Sequence, residues 1–202
     1  MKIHLSKPLL IKIAATLATI ALLTVGVVQF ISVNAQYPNT KLYSHHINEE
    51  IKAGAVSVTF TGNKLYTYDE FKKQVLPDYQ SRYLSLGNTT DSYKEYHMLV
   101  NITLKNNSDT TQTFPLGSKF TLETYISAHA MDANLFFELN KDILSSSNSF
   151  KLPAHSQTSM VLPYNFNTLN TPKKLIDNVY ATQFDVTVSY YPEKHFVLLN
   201  KG

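Results

Sequence analysis

The chain has 202 residues with no cysteine, no tryptophan and thirteen tyrosines. The missing cysteine excludes a disulfide framework, a thiolate metal site and a lipid-modified cysteine, so a domain built from this chain must hold itself together by burial alone. The formal net charge of +3 resides in Lys2, Lys7 and Lys12, and beyond them 15 basic residues balance 15 acidic ones with Arg82 as the only arginine, which argues against a nucleic-acid surface.

From Ile13 to Val33 the chain is uncharged and apolar, interrupted only by Thr16, Thr19, Thr24, Gln29 and Ser32. As a helix rising ~1.5 Å per residue, this run is about 30 Å long, the thickness of a bilayer's hydrocarbon. No polar face exists on it, which argues against a buried core helix. The lysines ahead of it keep that end in the cytoplasm and send the remainder outside. Val33-Asn34-Ala35 before Gln36 also fits the small-residue rule for a signal-peptide cut. The expected localisation is therefore a single-pass cell-membrane protein anchored through residues 13–33. The alternative is secretion after cleavage at Ala35.

Residues 36–53 are polar, contain Pro38 and read as a stalk, giving an anchor at 1–35, a stalk at 36–53 and one domain at 54–202. Val56–Phe60 and Leu65–Tyr68 read as strands around a turn at Thr61-Gly62-Asn63. Asp69 to Val75, acidic in its first turn and stopped by Pro77, reads as a short helix. A long polar connection follows from Pro77 to Tyr96. His97 to Lys105 is the clearest strand: Met98, Val100, Ile102 and Leu104 share one face, while Leu99, Asn101, Thr103 and Lys105 share the other.

Asn106 to Asp109 predicts a turn, and strands are expected at Thr110–Phe114 and Lys119–Ile126, separated by Pro115-Leu116-Gly117. Asp132 to Leu144 carries Leu135, Phe136, Leu139 and Ile143 at helical spacing and reads as a helical turn or irregular connection. Ser145 to Ser149 reads as a loop. Strands follow at Phe150–Leu152 and Thr158–Tyr164, then a short helix capped by Thr171 with Pro172 in its first turn. Thr182–Tyr190 and His195–Leu199 close the series. Seven to nine short strands with few, brief helices predict a mainly β fold: an antiparallel two-sheet sandwich behind an N-terminal transmembrane helix.

The span, Tyr37-Pro38 after it, Val100-Asn101-Ile102-Thr103-Leu104-Lys105-Asn106-Asn107, Leu152-Pro153-Ala154-His155-Ser156, Leu162-Pro163-Tyr164 and Ser189-Tyr190-Tyr191-Pro192 together resemble a group of Gram-positive exported proteins of unknown function. The resemblance covers most of the chain and implies an immunoglobulin-like sandwich with one or two short helices. It implies no catalytic or ligand residue.

Sites of chemistry are sparse. His45-His46 beside Glu49 and Glu50 suggests a metal, but sequence neighbours rarely face one ion, and solvated stalk histidines are the simpler reading. His97, His129, His155 and His195 have no obvious carboxylate partner. The serine run lacks a nucleophile elbow, and the six glycines form no phosphate loop. The expectation is no catalytic residue, no cofactor and no metal. Tyr79, Tyr83, Tyr93 and Tyr96 in the polar connection are the candidate binding surface, since tyrosine offers rigid contact area at low entropic cost. The function expected is a non-catalytic module displayed at the membrane that binds a protein, a peptide or a cell-envelope component. An accessory subunit of a membrane complex, and a cell-envelope hydrolase, are the alternatives.

Overall fold

The structure is a computed structural model that describes residues 7–36, 40–81, 93–114, 119–144, 150–190 and 192–201. Tyr83, Pro115 to Gly117 and the serine run 145–149 lie outside the described residues. The chain divides into two compact units, residues 1–41 and 42–202.

The first unit contains helix α1 (Lys7–Gln36), 30 residues long. Among the described residues it is the one helix long and apolar enough to cross a membrane, as an anchor or as a signal sequence. It runs past the expected Val33 limit through Ala35. The hydroxyls of Thr16, Thr19 and Thr24 donate to the carbonyls four residues earlier at 2.9, 3.0 and 2.8 Å, so each is satisfied within its own helix.

The second unit is a mainly β sandwich. One sheet has the order β1 (Lys41–His45), β11 (Glu193–Leu198), β10 (Asp185–Ser189), β6 (Thr121–Glu123), β7 (Ala128–Ala130). The other is β2 (Glu50–Ala53), β3 (Val56–Thr67), β4 (Glu95–Asn106), β9 (Gln157–Asn167), all antiparallel. A two-stranded sheet joins β5 (Gln112–Phe114) to β8 (Phe150–Leu152). Among the described residues, three short helices, α2 (Tyr68–Gln74), α3 (Ala133–Leu139) and α4 (Lys173–Asp177), accompany the strands together with a 3-10 turn at Val179–Ala181.

The even-numbered side chains of β4, Met98, Val100, Ile102 and Leu104, are fully buried in one core with Phe60, Leu162, Tyr164 and Phe166 of their own sheet and Leu122, Val186 and Val197 of the other. Each such side chain contributes about 1.5–3 kcal/mol relative to exposure. The expected stalk is instead structure: β1 and β2 are edge strands, because Ile51 alternates into the core between exposed Glu50 and Lys52. The turn expected at 61–63 is a β-bulge inside one 12-residue strand, where Phe60 pairs Ile102 but Gly62 already pairs Asn101. The extra residue reverses the inward phase from even (Val58, Phe60) to odd (Leu65). Thr171 does not cap α4; its hydroxyl donates to Asn170 at 2.8 Å, and the helix starts without a side-chain cap.

One end of the β2–β3–β4–β9 sheet is covered on its outer face by α2 and α3, through a second apolar cluster of Phe71, Leu99 and Leu135. A reciprocal capping box opens α2: Thr67 Oγ1 accepts from the Glu70 amide, and Glu70 accepts from the Thr67 amide at 2.8 Å. Asn140, just past α3, seals part of the β9 edge. Its side chain donates to the Val161 carbonyl at 2.9 Å and accepts from the Val161 amide at 2.8 Å, in place of a neighbouring strand.

On the outer face of the other sheet, Asp185 lies across from Glu123. Burial, and then the Glu123 charge, push its carboxyl up to about 6, while Lys194 pulls it back. A carboxyl raised in the fold withdraws stability as pH climbs through that value. Asp185→Asn is expected to raise stability by about 1 kcal/mol at pH 8, a figure reduced for solvent screening of this half-exposed group. No gain is expected at pH 4. Urea denaturation at the two pH values measures the difference.

Candidate functional site

Beneath α2 and α3, the odd-numbered face of β4 carries two polar groups that the sandwich removes from water, Glu95 and His97. The Glu95 carboxylate accepts hydrogen bonds from Tyr93 Oη at 2.6 Å, Asn165 Nδ2 at 2.7 Å, Tyr79 Oη at 2.9 Å and the Ser81 hydroxyl. His97 Nε2 lies 3.1 Å from Oε1, an ion-pair distance without hydrogen-bond alignment. Its ring stacks on Phe71 with centroids 4.1 Å apart and meets the edge of Tyr79 at 5.0 Å. Burial alone would raise the Glu95 carboxyl; the contacts with His97, Ser81 and Tyr93 outweigh it and hold the group at about 2. Burial, and then the Glu95 charge, push the Tyr79 phenol up.

This network fixes the wall of a cleft of about 810 Å³. Tyr79 and Asn165, both tied to Glu95, line it with Asp78 and Gln80 from the segment after α2, Asp132, Asn134, Glu138 and Lys141 around α3, and Asn170 beyond β9. Asp132 is committed to the α3 N-terminus through the Leu135 amide at 3.1 Å, and Glu138 pairs with Lys141 at 3.2 Å. The cleft therefore presents amides, carboxylates, a lysine and one aromatic edge beside the apolar side chains of Leu76, Ala130, Ala133 and Leu135. Such a lining, part apolar with a few placed polar groups, has the character of a ligand-binding cleft.

The four tyrosines of the sequence reading separate. Tyr79 and Tyr93 converge on Glu95 with their hydroxyls turned inward, and of the two Tyr79 lines the cleft. Tyr96 packs elsewhere, edge-on to Tyr180 at 5.9 Å. The hub itself, Glu95, escaped the sequence reading. Its signal was present: an acid and a histidine in the same strand phase as Leu99, an apolar residue on the face opposite the main core. His45 is not a solvated stalk histidine, because its Nε2 meets His195 Nδ1 at 2.9 Å. Among the described residues no group of three or more His, Asp or Glu is placed to hold a metal ion.

No curated protein matches the chain. Solved structures do. The yjhA protein from Bacillus subtilis is 14% identical over 77% of this chain and 99% of that one, with a TM-score of 0.41. An uncharacterized beta-sandwich protein from Clostridium difficile 630 is 10% identical over 80% and 97%, with a TM-score of 0.44. A functionally unknown protein from Listeria monocytogenes EGD-e is 15% identical over 69% and 71%, with a TM-score of 0.43. The family model described as Domain of unknown function (DUF5028) matches residues 39–195, and the chain belongs to that family.

Proposed function

We propose that the chain is a non-catalytic binding module displayed outside the cell membrane by α1, with the cleft beside Tyr79 as its ligand surface. The observation that carries this reading is the pinning of the cleft wall by a buried carboxylate: Tyr79 and Asn165 are held before any ligand arrives, which lowers the ordering cost of binding. Glu95 is saturated with donors and excluded from water, so it supports the wall and does no acid–base work. Anchoring gains support from the length of the apolar helix, 26 residues from Ile11 to Gln36, against the ~7–15 residues of a signal peptide's apolar region.

The test is site-specific photo-crosslinking of the full chain in intact cells. A crosslinker at Gln80 or Asn134 should capture one saturable cell-envelope species, and the same group at Lys105, exposed at the far end of the sheet face, should not. Equal capture from all three positions, or none from the cleft, sinks the assignment.

A further inference from the structure

Away from the cleft, a four-membered polar chain ties edge strand β1 to β11. Glu49 Oε1 lies 2.7 Å from His45 Nδ1, His45 Nε2 lies 2.9 Å from His195 Nδ1, and His195 Nε2 lies 3.6 Å from Glu193 Oε2. The two imidazoles are part-buried and nearly coplanar, 17° apart with centroids separated by 5.2 Å, so their nitrogens meet head-on. Tyr43 stacks on His195 at 4.8 Å and its hydroxyl donates to Glu193 at 3.3 Å. Glu49 is itself fixed by the His46 amide at 3.0 Å, in a turn where Asn48 takes a left-handed backbone (φ 70°).

The protons in this chain follow from its ends. The Glu49 carboxyl is held below its ordinary range, first by the hydrogen bond from His45. An ionised Glu49 only accepts, so His45 Nδ1 carries a hydrogen and, in a neutral ring, Nε2 is left as a lone pair. His195 Nδ1 must then donate to it. If His195 were neutral, its Nε2 would be a second lone pair facing the Glu193 carboxylate. One added proton on that nitrogen satisfies every contact. A second added proton has only His45 Nε2 to occupy, where it sets N–H against N–H. A metal ion does not fit in its place: two head-on nitrogens bonded at ~2.0 Å each would need about 4 Å between them.

We propose that His45 and His195 form a proton-dependent clasp on β1, closed when the pair holds one proton beyond neutrality and opened by the next. Imidazoles exchange protons between about pH 5 and 8, which is the window of operation. The charged and titratable groups around the pair are Tyr43 on β1, His46 and Glu49 in the turn, Glu193 on β11, and Lys52 and Lys119, which share a cavity of about 460 Å³ with His195. Lys194, next along β11, is engaged by Glu123 and does not enter the chain. β1 is the first strand after α1 in sequence, so the clasp governs how firmly the sandwich holds its leading edge.

The experiment is amide hydrogen exchange of the full chain in detergent micelles, read at residues 42–45 against the β4 amides as an internal reference. Protection of β1 should peak near neutral pH and fall about tenfold by pH 4.5, the worth of one lost hydrogen bond. His195→Phe, which keeps a flat ring but no titrating nitrogen, should flatten that dependence. Nitrogen NMR of the imidazoles supplies a readout that does not depend on any variant folding: His45 should carry its hydrogen on Nδ1, and the first proton added to the neutral pair should appear on His195 Nε2. A first added proton on His45 Nε2 instead, or β1 protection that tracks β4 across the whole range, overturns the proposal.

Discussion

Replacing Glu95 by Ala is expected to destabilise the sandwich by about 3–5 kcal/mol, the cost of breaking a buried charged network from one side. The donors left behind are Tyr79, Tyr93, Ser81 and Asn165, and the ring of His97 loses the carboxylate that lies at ion-pair distance. Glu95→Gln keeps the volume but points an amide NH2 at groups that themselves donate, so it should also destabilise. The pH dependence separates charge from packing. The Glu95 carboxyl sits at about 2 in the fold, below the unfolded value, so the folded state binds fewer protons and its stability is complete above about pH 4.5. About 3 kcal/mol should drain away as pH falls from there toward 2. Glu95→Gln should lose that part of the acid sensitivity. Urea titrations followed by tyrosine fluorescence of the full chain in detergent would measure both effects. An acid limb unchanged by the substitution would show that Glu95 is not the ionised hub described above.

Asn140→Ala is expected to cost about 2–4 kcal/mol, because it strands the Val161 amide and carbonyl, while the Phe136 carbonyl loses one of its two donors and keeps the backbone amide of residue 140 at 3.2 Å. Asn140→Asp should do no better: the carboxylate still accepts from the Val161 amide but faces two carbonyls it cannot donate to. The second consequence is colloidal. Pro163 has no N–H to offer, and its carbonyl is taken by the Asp132 amide at 2.9 Å, so Asn140 and Pro163 together keep the middle of β9 from pairing with another chain. Size-exclusion chromatography of Asn140→Ala should show concentration-dependent self-association. A monomeric variant of unchanged denaturation midpoint would show that the Asn140 contacts carry little.

The sheets were largely legible because alternation is a local signal. Met98 to Leu104 and Val186 to Val188 announce which side chains face inward, and α2 and α3 show themselves through spacing and acids. Three kinds of feature were not. Contacts distant in sequence, such as His45 with His195 or Glu95 with Asn165, leave no local trace, since only the fold decides which residue meets which. Edge strands as short as Lys41–His45 are too exposed to alternate clearly and read as a stalk. At Thr61-Gly62, glycine and a broken phase describe a turn and a bulge equally well, and only the uninterrupted partner β4 decides between them. In the tyrosine-rich connection, the hydroxyls of Tyr79 and Tyr93 serve an internal acid, a role that residue type alone does not announce.

That one surplus residue in β3 also lets a single strand serve two masters. Upstream of it, Val58 and Phe60 plug the space between the sheets; downstream, Leu65 takes over that duty while Tyr66 is freed to roof Phe71 on the opposite side, their rings in a T-shaped contact with centroids 6.3 Å apart. Shorten the chain there by one position and the downstream half would turn inside out. Leu65 would meet solvent, Tyr66 and Lys64 would be driven inward, and the helical cover that shields Glu95 would lose its seat.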